Sequence, residues 1–384
     1  MKKLLIATAA FAMVAGTAQA QSSVTVYGLL DQSYVSTDAN ALATNVVTKT
    51  TNTGGDGQLS GSRLGFRGTE DLGGGLKANF VVEFGFSASE ANNGIASGTR
   101  LGFVELQSNS GSVRAGRQVS PTKAVNDIYT TFANSTWNVG SVTGGTETAD
   151  TTNFYHTGNA GDRVGNAITL LTPVMSGFQA QLQFAKDTTK VDGVETTRAA
   201  TTMNAAQTAG TAAAQVAETA FGSQVTAQTN QTNYGVSYTA GNLSVMYGRA
   251  DQDAIAAGVK TNTEHDAIGA SYKLGNATLF ATYNKKTVEA ASVKTGERSD
   301  TTVGINYNMG KWDLKAAYAE GEDDAIASGV TTTRDLKGYQ VAGVYNFSKR
   351  TNAYVGYGDS ETKTKGTALK ATRDGYIAGI RHSF

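Results

Sequence analysis

The sequence contains no cysteine and only two prolines among its 384 residues. Without cysteine, a chain exported to an oxidising compartment can have no disulfide framework. Charged residues make up 17% of the chain, below the roughly 25% of an average soluble domain. Basic and acidic residues each total 32, so no excess of positive charge suggests a nucleic-acid partner. After residue 20 no apolar run is long enough for a transmembrane helix.

In place of such runs, the chain contains segments in which apolar and polar residues alternate. Glycine is abundant, with 45 residues, and tyrosine is high, with 16. From Val24 to Phe384 we count sixteen segments in which apolar residues recur at every second position, the period of a β-strand. Examples are SVTVYGLLD, GFQAQLQFA, WDLKAAYA and GYQVAGVYNF. Each is about as long as the roughly 9–11 residues that a tilted strand needs to cross a bilayer.

The connections between these segments alternate between short and long. Short turns are predicted at 73–75, 109–111, 176–177, 241–242, 275–276, 310–311 and 348–349. Longer polar links are predicted near 36–61, 87–98, 120–165, 187–231, 250–263, 288–298, 321–336 and 360–372. This arrangement is typical of an outer-membrane barrel, with short periplasmic turns and long outer loops.

The apolar face carries aromatic residues near its ends. Tyr234 and Tyr238 flank Val236, and Tyr376 and Phe384 flank smaller residues. Aromatic residues at both ends are typical of membrane interfaces, and a sheet in hydrocarbon must close on itself to pair every backbone group. The sequence therefore predicts an all-β protein, a sixteen-stranded antiparallel transmembrane β-barrel. A secreted β-sandwich or β-helix is the soluble alternative, and its apolar residues would face an inner core instead.

The first twenty residues, MKKLLIATAAFAMVAGTAQA, have the pattern of a secretory signal peptide. Two lysines precede an apolar stretch at 4–14, and the segment ends in Ala18-Gln19-Ala20, an A-x-A cleavage site. A membrane anchor is the alternative, but the stretch is shorter than the roughly 20 residues of a spanning helix. We expect residues 1–20 to be removed and residues 21–384 to form the barrel.

Several stretches together resemble the trimeric general-diffusion porins of the Gram-negative outer membrane, of the β-proteobacterial type. They are SSVTVYGLLD, SRLGFRGTEDLGGGLKANFVVEFGF, GSVRAGRQVSP, RVGNAITLLTP and the final GIRHSF. The resemblance implies a homotrimer in outer-membrane lipid and lipopolysaccharide that passes small hydrophilic solutes and ions without a cofactor. It also implies that the third long loop, about 120–165, folds inward as a constriction. The terminal Phe384 would be part of the signal read by the barrel-assembly machinery. The chain departs from the family at Leu170, where tyrosine is frequent.

Candidate site residues are the charged side chains expected on the inner face. In SRLGFRG, the apolar Leu64 and Phe66 suit lipid, which turns Arg63 and Arg67 toward the lumen. The resemblance adds Arg117 and Arg163 to this basic cluster and leaves Arg114 with the opposite alternation. Other lumenal charges predicted by alternation are Asp31, Lys77, Glu83, Lys273, Lys315 and Arg381. The acids expected to face the basic cluster from the third loop are Asp127, Glu147 and Asp150.

Three functions remain open for such a barrel. We expect a non-specific diffusion channel with a moderate preference for anions, because basic residues exceed acidic ones at the predicted inward positions. A substrate-selective channel and a non-conducting barrel acting as an adhesin or anchor are the alternatives. An enzyme is not expected, since the three histidines are scattered and neither G-x-S-x-G nor H-E-x-x-H occurs.

Overall fold

The computed structural model describes residues 23–40, 47–87, 99–132, 163–191, 224–256 and 259–384, which form seventeen β-strands and one helix. The first strands are β1 (Ser23–Asn40), β2 (Val47–Asp56), β3 (Arg63–Gly73), β4 (Leu76–Gly85), β5 (Thr99–Ser108) and β6 (Gly111–Val119). Helix α1 (Pro121–Ile128) follows, and then β7 (Arg163–Leu171), β8 (Phe178–Val191), β9 (Gln224–Ala240) and β10 (Leu243–Ala256). The remaining strands are β11 (Val259–Leu274), β12 (Ala277–Ala290), β13 (Val293–Met309), β14 (Trp312–Ala327), β15 (Val330–Asn346), β16 (Thr351–Thr364) and β17 (Lys370–Ser383).

The strands form one closed antiparallel sheet. Each strand from β3 to β16 pairs with the next, and β17 pairs with β1. β2 and β3 both pair with β1, β2 along its second half and β3 along its first. They are therefore two parts of one wall strand that is interrupted at residues 57–62, and the barrel has sixteen wall strands as predicted.

Side chains alternate between the two faces of this wall. On β15 the outward Tyr339 and Val341 are 43% and 45% exposed, whereas the inward Gln340 is fully buried. Outward aromatic residues recur on each strand from β8 to β17. Exposed ones are Phe178, Phe184, Tyr234, Tyr272, Tyr283, Tyr307, Trp312, Tyr318, Tyr339, Tyr376 and Phe384. These rings form the interfacial girdle that the sequence predicts.

The connections were predicted correctly at one end of the barrel only. All seven short turns lie between strands where expected. Five predicted long links, at 36–61, 250–263, 288–298, 321–336 and 360–372, are instead largely strand: β12 and β13 meet at residues 291–292, and β14 and β15 at 328–329. Outside the hydrocarbon a strand needs no apolar face, so a polar extension of a strand has the composition of a loop.

The last strand closes the wall at the chain end. The amide and carbonyl of Phe384 each bond to those of Gly28 at 3.1 Å, and Gly28 lies under the exposed Phe384 ring. A methyl group added to Gly28 would lie 2.2 Å from that ring and 2.9 Å from the Arg63 carbonyl oxygen, so any larger residue would displace the ring. The predicted strand to the last residues, with an outward Phe384, is confirmed.

Two of the predicted segments are described incompletely. The predicted signal peptide, residues 1–20, lies outside the described residues. Of the predicted loop 187–231, residues up to Val191 belong to β8 and residues from Gln224 to β9. No helix among the described residues has the length and apolar character to cross a membrane.

Candidate channel constriction

Helix α1 begins where β6 ends. Ser120 caps the helix by accepting a hydrogen bond from the Lys123 amide at 3.1 Å, and Pro121 occupies the first turn. A serine cap followed by proline is a strong start signal, because it satisfies a free amide and presets the backbone angle. The sequence SPTK therefore turns the chain out of the wall and into a helix.

The helix lies against four inward-facing glycines, Gly235, Gly248, Gly269 and Gly304, which we call the glycine seat. A methyl group on Gly235 or Gly248 would come within 2.9 or 2.6 Å of Pro121. The ring of Tyr129 lies over Gly269 in the same way, at 2.7 Å from an added methyl group. The glycines come from β9, β10, β11 and β13, so the seat crosses the inner wall diagonally.

Polar contacts fix the same segment to the wall. Tyr129 Oη lies 2.8 Å from Ser244 Oγ. The amides of Asn126 and Asn284 exchange two hydrogen bonds, at 3.0 and 3.1 Å. Lys315 Nζ donates to the carbonyl of Thr131 at 3.2 Å. Residues 120–132 are therefore inside the barrel; the remainder of the predicted constriction loop, with Glu147 and Asp150, lies outside the described residues.

Asp127, the other loop acid predicted to face the basic cluster, has a neighbour on its own helix. Its carboxylate pairs with Lys123 Nζ at 3.0 Å, one turn away. An i,i+4 pair of this kind stabilises a helix by a few tenths of a kcal/mol, roughly 0.3–0.5. The structure therefore gives Asp127 a partner within α1.

A basic cluster surrounds Glu83 on the opposite wall. Arg100 Nε lies 2.6 Å from the Glu83 carboxylate, and Arg63 Nε lies 3.8 Å from it. Tyr27 donates to the same carboxylate at 3.1 Å, and the Arg67 guanidinium stacks over the Tyr27 ring at 5.2 Å. Arg100 was not among the predicted lumenal residues. The register shift between Glu83 and Phe84 turns Arg100 to the inner face, and a residue pattern alone does not show such a shift.

The two arginines of β6 have different surroundings. Arg114, which was not predicted to face the lumen, pairs with Glu105 at 3.0 Å and stacks on Phe103, both on the inner face of β5. Arg117 lies opposite Gly102, and its Nε donates to the Thr99 carbonyl at 2.7 Å. A register shift between Gly116 and Gln118 falls at Arg117, so alternation along β6 does not decide its face. The inward Arg117 stays a prediction.

The other predicted charges lie on several strands, and the inward orientation of Arg163 stays a prediction. Arg163 pairs in register with Val119 at the start of β7, next to the buried pair Gln118 and Val164. Lys77 and Lys273 lie close to short turns and are exposed. Arg381 lies directly opposite the fully buried Asp31.

A second row of inward charges was also missed. His265, Lys286, Arg298, Asp323 and Arg334 are successive register partners across β11 to β15. These residues lie in strand extensions that were predicted to be loops, or for which no inward or outward face was predicted. Basic residues outnumber the one acid in this row, so it adds positive charge to the inner wall toward the outer end.

Comparison with known proteins shows which family the chain belongs to. The model of the Gram-negative porin family matches residues 7–365. Outer membrane porin protein 32 of Delftia acidovorans is 30% identical over 413 residues and covers 100% of both chains. The major outer membrane protein P.IB of Neisseria lactamica is 26% identical over 393 residues, again covering both chains fully.

A solved structure agrees in fold. The anion-selective porin from Comamonas acidovorans superposes with a TM-score of 0.67 at 26% identity, covering 94% of this chain and 100% of that one. The family and the names of these relatives indicate a channel rather than an enzyme. The chain belongs to the Gram-negative porin family and is an outer-membrane β-barrel channel for passive diffusion.

Proposed function

We propose that this channel passes small hydrophilic solutes and ions with a moderate preference for anions, set by the basic side chains of its inner wall. The observation that carries this proposal is the arginine cluster around one carboxylate, with Arg63 and Arg100 at Glu83 and Arg67 stacked nearby. Exposed charges farther than about 8 Å from an ion are largely screened at physiological salt, so the nearest residues dominate. The related structure named as anion-selective supports the same sign.

The zero-current potential across a KCl gradient tests this proposal. We expect the wild-type channel to favour chloride and Arg100→Glu to shift the potential toward cations, because it places a second carboxylate beside Glu83. Arg350→Glu, in the exposed turn between β15 and β16, makes the same charge change away from the lumen and is the control. A cation-selective wild type, or equal shifts from the two variants, would refute the proposed origin of selectivity.

We further propose that the protein is a homotrimer that associates through the outer face of β3 to β7. The wall there is short, with strands of 9–11 residues. No tyrosine or tryptophan occurs from residue 63 to 119 or from 163 to 171. Its outward side chains include the exposed Val104, Leu106, Val113 and Ile168. An apolar face without the tyrosine and tryptophan of an interfacial girdle fits contact with protein better than contact with lipid.

The remaining proposed partners are lipopolysaccharide at the outer end of the wall and the barrel-assembly machinery at the chain end. The outward strand extensions carry charged groups such as Arg249, with Asp251, Glu264 and Asp266 within 3.0 Å, at a height suited to lipopolysaccharide head groups. The outward Phe384 supports the role of the chain end as the signal for the barrel-assembly machinery. We also propose that residues 1–20 are removed and that the whole loop 120–165 runs inside the barrel. The proposed function includes no catalytic step.

A further inference from the structure

The interruption between β2 and β3 contains more chain than the wall can hold. Gln32 of β1 pairs with Asp56, and Leu29 pairs with Arg63. Residues 57–62, which we call the inner turn, therefore lie opposite only two residues of β1, Leu30 and Asp31. Four residues are surplus, and they must leave the sheet on one side.

Asp31 holds the surplus on the lumenal side. Its carboxylate is fully buried and accepts hydrogen bonds from the amides of Leu59 at 2.9 Å and Ser60 at 2.7 Å. The Tyr354 hydroxyl, from the inner face of β16, donates to the same carboxylate. The Asp31 amide donates to Ser62 Oγ at 3.0 Å, so side chain and backbone both bind the turn.

The inner turn also shares an apolar cluster with the segment that follows α1. Leu59 is 5% exposed and belongs to one apolar cluster with Phe132, Leu336, Tyr354 and Ile377. The last three come from the inner faces of β15, β16 and β17. An apolar cluster on the inner wall of a water-filled barrel holds both inward segments, because separating them would expose Leu59 and Phe132 to water.

Arg63 is positioned by the same turn. One terminal guanidinium nitrogen donates to the Ser60 hydroxyl at 3.4 Å and to the Gly61 carbonyl at 3.3 Å. With these contacts made, Arg63 Nε points toward Glu83 and lies 3.8 Å from its carboxylate oxygen. The inner turn therefore occupies part of the lumen and also positions Arg63, one of the lumenal arginines.

We infer that the inner turn is a second constriction element, held by Asp31 and joined through Leu59 to the constriction segment after α1. This inference rests on the proposed channel function and adds a residue set that determines its width. The pore would then be narrowed by two adjoining segments, residues 57–62 and the chain that enters at Ser120.

Shortening the turn tests this inference. Deleting residues 58–61 leaves Gly57 opposite Asp31 and Ser62 opposite Leu30, which restores a continuous strand. We expect the single-channel conductance to rise about twofold and larger sugars to enter liposomes faster, since the narrowest cross-section widens. Sheet-dominated circular dichroism and an unchanged oligomer would establish that the variant is folded. A folded deletion variant with wild-type conductance would overturn the inference.

A substitution covers the case in which the deletion variant does not fold. Asp31→Asn keeps the volume of the side chain and weakens its hold on the two amides, so we expect more frequent fluctuations of the open-channel current. Asp313→Asn removes the same charge from an inner acid that binds Asn308 and Asn346 far from the turn. Equal current noise in the two variants would refute the anchoring role. A wild type that does not conduct would instead refute the channel function, so the two failures are distinguishable.

Discussion

The barrel has two sectors that differ in length and in the chemistry of both faces. From β8 to β17 the strands have 14–17 residues, the outer face carries an aromatic girdle, and the inner face holds α1 on the glycine seat. From β3 to β7 the strands have 9–11 residues, the outer face has no tyrosine or tryptophan, and the inner face holds the arginine cluster. The outer face of the long sector suits lipid and its inner face holds the constriction segment. The short sector presents charge to the pore, and its outer face is the one that we propose to contact protein.

The largest expected effect concerns the outer face of the short sector. Val104→Asp would put three carboxylates into the proposed apolar trimer contact, where unpaired buried charge is strongly unfavourable. We expect the folded barrel to migrate as a monomer in mild detergent. Val341→Asp, at an equally outward valine of the long sector, is the matched control and would face lipid, where a charged residue costs at most about 4 kcal/mol. If the Val104 variant stays oligomeric, or if Val341→Asp alone yields monomers, the contact lies elsewhere.

An intermediate effect is expected at the glycine seat of the long sector. Gly248→Ala places a methyl group 2.6 Å from the Pro121 carbonyl carbon, so α1 must move away from the wall. Overpacking of this kind costs about 1–3 kcal/mol, and we expect a lower thermal midpoint together with an unsteady open-channel current. In Gly343→Ala the added methyl group meets Trp312 at an ordinary 3.6 Å, which makes that variant the control. Steady wild-type current in the Gly248 variant would mean that the seat does not hold the segment.

The smallest effect is expected in the outer turn between β16 and β17. Hydrogen bonds to Glu322 and Asp335 raise the pKa of Lys365 above its ordinary value. A raised folded-state pKa means that the pair's stabilisation is complete below the ordinary lysine pKa of about 10.4 and disappears as pH rises through the folded value. Because Lys365 is exposed, Lys365→Ala should lower the thermal midpoint only slightly at neutral pH, and the difference should vanish at strongly alkaline pH. A difference that grows with pH would contradict this assignment.

Sequence patterns were sufficient to predict the strands of the barrel wall but not the contacts inside the barrel. Alternation identified sixteen wall strands, and the short turns were found at Gly-Asn and Gly-Lys because such turns require specific backbone angles. Alternation also assigned Arg63 and Glu83 to the inner face, but it did not show that the two side chains meet. It failed where the register changes, as at Arg100.

The sequence by itself determined that this chain crosses a membrane as a closed sheet, because period-two alternation and terminal aromatics follow from the solvent on each side of every strand. Only the tertiary structure decided what lies inside. The apolar cluster that includes Leu59 and Phe132, and the contact of Pro121 with Gly248, join residues that are far apart in the chain. Such contacts depend on the curvature and register of the whole wall, which no local pattern of residues encodes.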